Sequence, residues 1–391
     1  MSLDLTLILT EDCNLRCRYC YQKDFRKNDM PADLPVAAFE KAIEAGHDHI
    51  ALTFFGGEPL LRADTLFDVL GWARRIADER GVMLTAKVPT NGLLLTDEIV
   101  ERAEALGLFI SLSFDGVRAA QDAGRVLPDG RSSYDEALAA LDRLVSAGAP
   151  FGVYSVVTAA NVAYLAESRR FLYERGARIL VGAVDYTSAW DDGSVRELAR
   201  QIELLGGMYG ELLKTKQHFH LEPLDSRIAQ RTRGREMSRR CCPGITQVTV
   251  GPDGTLYGCV EFFYRRLYPL GHVDRWIDPP ASKELATDHL AGRPDECKSC
   301  GVNDRCLSST CACVNLRTTG VANRPPLALC LTEQATLQAV DRVAGSLYRA
   351  RSPQFVLRQY STSFHLLSTI EGLLREMDIS ESVEAPVNAG A

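Results

Sequence analysis

The sequence predicts an α/β protein: a partial (β/α)6 barrel, open at one side, followed by a cysteine-rich segment and C-terminal helices. Three observations lead there. Strand-like and helix-like segments alternate from residue 3 to about residue 216. From Cys241 to Cys330 the texture changes, and this stretch holds nine of the twelve cysteines. Helical periodicity then returns over residues 333–376.

The strands are expected at Leu3–Thr10, His49–Phe55, Met83–Pro89, Phe109–Phe114, Phe151–Val157 and Ile179–Asp185. Several are rich in Val, Ile, Leu and Phe with little polar alternation, so both faces should be covered. Helix-period segments lie between them, at Pro35–Gly46, Ala63–Gly81, Thr96–Gly107, Ser133–Gly148 and Asn161–Gly176, with one more at Ser194–Lys216. Right-handed crossovers make the sheet parallel. A closed eight-unit barrel needs two more strands, and none is evident. The expected organisation is a barrel core over residues 1–225, a cysteine-stapled domain over 226–335, and a helical segment with a flexible tail over 336–391. An arginine-rich run, residues 226–240, opens the second part and reads as a solvated face or linker.

Composition narrows the function. The 391 residues carry a net charge of −7, the wrong sign for a protein that grips a phosphate backbone, so no nucleic acid is expected. No run of eighteen apolar residues and no export signal is present, which points to a cytoplasmic chain without a membrane segment. Clustered thiols in such a chain serve metal binding or catalysis rather than disulfides.

The strongest motif is Cys13-Asn14-Leu15-Arg16-Cys17-Arg18-Tyr19-Cys20, a C-x3-C-x2-C spacing directly after the first strand. Barrels of this kind place their chemistry at the C-terminal ends of strands. Three thiolates on one tight loop can hold three irons of a cubane 4Fe-4S cluster and leave the fourth open. A closed zinc site wants four ligands, and no histidine or fourth cysteine lies nearby in sequence. The motif resembles the cluster-binding signature of radical S-adenosylmethionine (radical SAM) enzymes, with Cys13, Cys17 and Cys20 as ligands. The second strand ends in Gly56-Gly57-Glu58-Pro59, similar to that family's GGEP turn. Two glycines allow close approach of a small ligand, and Glu58 can accept a hydrogen bond from an amino group; by resemblance this turn binds the methionyl amine of S-adenosylmethionine. At later strand ends, Asn91 in Thr90-Asn91-Gly92 and Ser113 and Asp115 in Ser111–Gly116, with Arg125 downstream, are expected to meet the ribose or carboxylate of that cofactor, or else to cap local turns.

The second cysteine group is independent of the first. Cys297, Cys300 and Cys306 form C-x2-C-x5-C, followed by Cys311, Cys313 and Cys330. Upstream, Cys241-Cys242 precede a Pro-Asp-Gly hairpin turn and Cys259. This resembles the SPASM extension of radical SAM enzymes, which carries auxiliary 4Fe-4S clusters, so the resemblance implies three clusters. The family's fourth position would fall on Thr310, so Cys311 or Cys313 must replace it. The outer cluster is expected on Cys297, Cys300, Cys306 and Cys330, and the inner one on Cys241 or Cys242, Cys259, and Cys311 or Cys313.

The resemblance implies reductive cleavage of S-adenosylmethionine to a 5′-deoxyadenosyl radical and oxidation of a peptide or protein side chain. The leading expectation is crosslinking of a ribosomally made precursor peptide. The alternative is anaerobic sulfatase maturation, in which a Cys or Ser becomes formylglycine. That family places an acidic residue just after the cysteine matching Cys259; here Val260 stands there and Glu261 follows, a candidate shifted general base. A non-catalytic zinc scaffold is the remaining reading. A reductant such as flavodoxin or ferredoxin is implied, and because the chain begins directly at its first strand, a leader peptide is expected to need a separate adaptor or a groove on the barrel.

Overall fold

A computed structural model describes residues 2–22, 24–215, 217–233, 243–279, 281, 293–308 and 311–360. Cys241, Cys242 and the expected tail lie outside these described residues. The alternation in the sequence becomes β1 (Ser2–Thr10), α1 (Asp33–Glu44), β2 (His49–Gly56), α2 (Ala63–Arg80), β3 (Met83–Thr90), α3 (Asp97–Ala105), β4 (Leu108–Ser113), α4 (Arg118–Gly124), α5 (Tyr134–Ala147), β5 (Phe151–Val157), α6 (Leu165–Glu174), β6 (Ile179–Val184) and α7 (Asp192–Leu212). Capping explains several starts. Thr96 accepts a hydrogen bond from the Ile99 N–H ahead of α3, and Asp191 forms a reciprocal box with Ser194 ahead of α7.

Beyond α7 come β7 (His220–Leu221), α8 (Leu224–Arg233), β8 (Gln247–Val250), β9 (Thr255–Tyr257), α9 (Val260–Arg265), β10 (Pro269–His272) and β11 (Trp276–Ile277), then helices Asp295–Lys298, Ala312–Thr319, Leu327–Arg349 and Pro353–Tyr360. All eleven strands join one sheet in the order β11-β10-β9-β8-β1-β2-β3-β4-β5-β6-β7. Strands β1 to β7 run parallel, and β8 joins β1 in parallel too. Two parallel strands therefore extend the six expected ones. Their lengths, two and four residues, are too short to carry a readable period. β7 and β8 do not pair, so the sheet stays open between them. The Pro-Asp-Gly segment makes the expected turn between antiparallel β8 and β9. Residue 226 falls inside α8, and the cysteine-rich segment continues the barrel's own sheet past β1.

The two faces of the sheet differ, contrary to the expectation that both are covered. Leu3, Leu5, Leu7, Ile50, Leu52, Phe54, Leu84, Val88, Ile110 and Leu112 point outward and are buried under the helices. Each fully buried side chain of this size contributes roughly 1.5–3 kcal/mol. The inner face carries Asp4, Thr6, Thr53, Lys87, Ser111 and Ser113, and these line a cavity. Residues from β8 and β1 share that lining with Ala183 of β6, so the sheet curls around the opening. Among the described residues no helix is long and apolar enough to cross a membrane.

Candidate functional site

The cavity measures about 580 Å³, within the range of small-molecule sites, and Cys13, Cys17 and Cys20 form part of its wall. The loop that carries them is fixed by backbone bonds to the end of α4 and the residues just after it. Arg16 N–H donates to Val126 O and Arg18 N–H to Gly124 O, both at 2.8 Å, while Cys20 N–H closes a turn onto Cys17 O. The Arg16 guanidinium donates to the Cys13 and Leu15 carbonyls and stacks over Phe25. Burial pushes the Cys13 thiol up to about 12 and the Cys17 thiol up to about 11; Glu58 and the other thiols add to the first shift. A cationic centre is what such a crowd of buried sulfurs lacks.

The Gly56–Pro59 turn meets this loop directly. Gly57 N–H donates to Thr10 O and Glu58 N–H to Asp12 O, both at 2.9 Å. A Cβ at Gly56 would come within 2.2 Å of Thr10 O, and one at Gly57 within 2.1 Å of Asp12 O. The glycines are therefore required by the approach of the cysteine loop itself, a reason the sequence did not reveal. Glu58 is fully buried. Its carboxylate accepts from Leu60 N–H, Thr90 Oγ1 at 2.8 Å and Asn91 N–H at 2.8 Å, tying the end of β2 to the end of β3. Burial raises its pKa to about 6 against the pull of these donors. Glu58 borders the cavity and has acceptor capacity for one further donor.

Asn91 lines the same wall and donates to Asn14 Oδ1 at 2.7 Å, inside the cysteine motif. Ser113 and Arg125 also face the cavity, whereas Asp115 does not. Asp115 accepts from Tyr19 OH at 2.6 Å and from Val156 N–H at 2.9 Å, and Arg125 Nε lies 3.3 Å from its Oδ1. Burial works against the Arg125 charge, but Asp115 and Tyr19 outweigh it and raise its pKa above the ordinary value. Asp115 thus holds Arg125 and Tyr19 in place from behind the wall.

Cys259 stands at the start of α9 and also faces the cavity. A hydrogen bond with Cys313 lowers its pKa, and the Glu261 and Phe262 N–H groups work in the same direction. Cys311 packs with Val314, Leu329 and Tyr186. Glu261 reaches the cavity despite following Cys259 by two positions. Its Oε1 accepts from Tyr186 OH at 2.7 Å and its Oε2 from Arg317 at 2.6 Å, while Arg317 also donates to Tyr186 OH. Tyr186 and Arg317 escaped sequence reasoning, because an isolated Tyr after a strand and an Arg on a short helix carry no local signal. Farther out, Cys297, Cys300, Cys306 and Cys330 come together. Burial raises Cys330 to about 11, and the other three thiols add to the shift.

None of the ten described cysteines forms a disulfide. Among the described residues, no three Cys, His, Asp or Glu side chains converge where one metal ion would touch them all. A cubane spreads its protein sulfurs over separate irons and needs no such convergence. The arrangement, with three loop cysteines on one cavity wall and no rival donor in that motif, fits the cluster better than a single zinc ion.

Comparison with known proteins agrees with this geometry. Residues 7–172 match the Radical SAM superfamily. Over 326 residues the chain is 26% identical to the serine-type anaerobic sulfatase-maturating enzyme of Klebsiella aerogenes, covering 78% of each protein. It is 28% identical over 174 residues to an uncharacterized protein of Methanocaldococcus jannaschii, spanning 44% of this chain and 59% of that one. Among solved structures, native anSMEcpe with bound AdoMet and Cp18Cys peptide aligns at a TM-score of 0.73 and 16% identity, over 90% of this chain and 100% of that one. Streptococcus suis SuiB bound to precursor peptide SuiA aligns at 0.61 and 19%, over 84% and 76%. At these identities the two structures speak for a shared fold.

Proposed function

We propose, from the premise that residues 7–172 form a Radical SAM superfamily domain, that this protein is an enzyme that oxidatively modifies a peptide or protein side chain. The observation that carries the reading is a single cavity whose lining includes Cys13, Cys17 and Cys20 together with Cys259 and Glu261. An iron-sulfur cluster with S-adenosylmethionine, held at the three loop cysteines, would supply one-electron chemistry able to remove hydrogen from an unactivated C–H bond. The protein's residues do the remainder. The Gly56–Pro59 turn and Arg125 present a hydrogen-bond acceptor and a cation beside the three cysteines, where an amino acid's amine and carboxylate can be bound. Auxiliary clusters, one including Cys259 and one on Cys297, Cys300, Cys306 and Cys330, would take electrons away from substrate. Glu261, aimed by Tyr186 and Arg317, accepts at a carboxylate oxygen the proton the substrate loses. The curled, open sheet admits a chain segment to this chemistry.

The favoured product is a crosslink within a ribosomally made precursor peptide. Sulfatase maturation is the second reading, favoured by the match along 78% of the Klebsiella aerogenes enzyme and by Glu261, which reaches the cavity from its shifted position. Flavodoxin or ferredoxin as reductant, a separate leader-peptide adaptor and a cytoplasmic setting belong to this proposal. Incubating the anaerobically reconstituted, reduced protein with candidate peptides and weighing the products tests it. Loss of two hydrogens with a new crosslink supports the first reading, conversion of Cys or Ser to an aldehyde supports the second, and S-adenosylmethionine left uncleaved under all conditions rejects both.

A further inference from the structure

Strands β5 and β6 separate the large cavity from a second one of about 260 Å³ on the outer side of the sheet. Tyr154 and Val156 border the first, while Val157 and Gly182 border the second, which α6, α7, α8 and helix Leu327–Arg349 close off. Leu165, Leu198, Ile202 and Leu329 give it an apolar side. Arg169 gives it a charge.

Arg169 is 2% exposed and is among the largest fully buried side chains of the protein. Its Nη1 donates to Ser155 Oγ at 3.0 Å, and its Nε has no partner among the described residues. The two carboxylates with the greatest influence on it, Asp115 and Glu222, are engaged elsewhere. Asp115 serves Arg125 and Tyr19; Glu222 accepts from His220 at 2.8 Å and from Ser226. Arg227 and Glu333, also on the cavity wall, neutralise each other at 2.8 Å. Burial accordingly pulls the Arg169 pKa down to about 10. An unpaired buried charge costs several kcal/mol, so its retention calls for a counterion. The backbone is shaped around this guanidinium: a Cβ at Gly182 would lie 2.5 Å from Nη2. Among the described residues Nε is left without an acceptor, and the guanidinium borders the cavity with no carboxylate paired to it.

We propose that this cavity binds a small organic carboxylate, its charge against the Arg169 guanidinium and its hydrocarbon part against Leu165, Leu198, Ile202 and Leu329. Ala183 and Val184 border both cavities, and Cys330 follows Leu329 in the first turn of its helix. An occupied site therefore braces the wall of the large cavity against the helix that bears an outer-cluster cysteine.

The test is thermal unfolding of the reconstituted full-length protein in acetate, butyrate, bicarbonate, sulfate or chloride at constant ionic strength. Butyrate is expected to raise the midpoint by about 2 °C or more at about 10 mM, acetate and bicarbonate less, chloride not at all. Line broadening of 4,4,4-trifluorobutyrate in fluorine NMR should vanish with Arg169→Gln. Should that variant fail to fold, Ile202→Phe decides: filling the apolar side should abolish the butyrate response and spare that of bicarbonate. Equal shifts with chloride and butyrate, a butyrate response retained by Arg169→Gln, or a response to bicarbonate alone each overturn the proposal.

Discussion

The two cysteine groups are held in opposite ways. The loop of Cys13, Cys17 and Cys20 is bonded to parts of the chain far from it in sequence, through Gly57 and Glu58 after β2 and through Gly124 and Val126 at the end of α4, and backs onto a close-packed sheet. In the outer group, Cys297, Cys300 and Cys306 sit on short turns whose backbone bonds are local, Cys300 to Cys297 and Cys306 to Val302, and Cys330 sits in the first turn of helix Leu327–Arg349. The first site is shaped by the fold without a metal, whereas the second, on the proposed reading, would use its cluster as a staple. A scaffold-held site suits chemistry, and a metal-held one suits electron storage.

Alanine at Cys13, Cys17 or Cys20 sharpens this contrast most: dithionite-driven cleavage of S-adenosylmethionine should fall to the uncatalysed background, read by chromatography of 5′-deoxyadenosine. Next in size, Glu261→Gln should slow peptide oxidation about 10²- to 10⁴-fold while cofactor cleavage continues, and Arg317→Ala should follow it in the same direction. Cys297→Ala should leave cofactor cleavage within about threefold of wild type and lower iron content from about twelve to about eight per chain. If it instead abolishes cleavage, the separation of the two regions fails.

Two stability measurements probe the scaffold side. Gly57→Ala forces Asp12 O and the cysteine loop away from the end of β2 and should cost about 2–4 kcal/mol in urea unfolding of the metal-free protein. The smallest effect is that of pH. The pKa of Glu58 is about 6 in the folded chain, above the ordinary 4.5, so between those values the folded state keeps a proton the unfolded chain has released. The contribution of Glu58 is therefore fully present below about pH 4.5 and is lost as pH rises through 6, by about 2 kcal/mol at most. Glu58→Gln should flatten this slope in the metal-free protein.

Much of the scaffold was readable because βα units repeat their signals. The six expected strands match β1–β6 to within one residue at most ends, and the turn glycines marked the helix stops. The inner-face polarity was visible in Asp4 and Thr6 of β1 yet was outweighed by the apolar runs of β2 and β5. Strand β7 and the short helix α4 were missed, since two to seven residues hold no period, and β8 was expected as an arm of the Pro-Asp-Gly hairpin but not as a parallel neighbour of β1.

By itself the sequence determined the alternating α/β frame, the three-cysteine loop after the first strand and the existence of a second thiol group, because these depend on neighbours within a few residues. Only the tertiary structure decided that Cys259 and Glu261 face the same cavity as Cys13, and that Tyr186 and Arg317 aim the carboxylate. It also decided that Asp115 works from behind the wall and that Arg169 is buried beside a void. Such relations join residues as many as 248 positions apart, Cys13 and Glu261 among them. Contacts at that range are set by how the sheet curls, which no local pattern encodes.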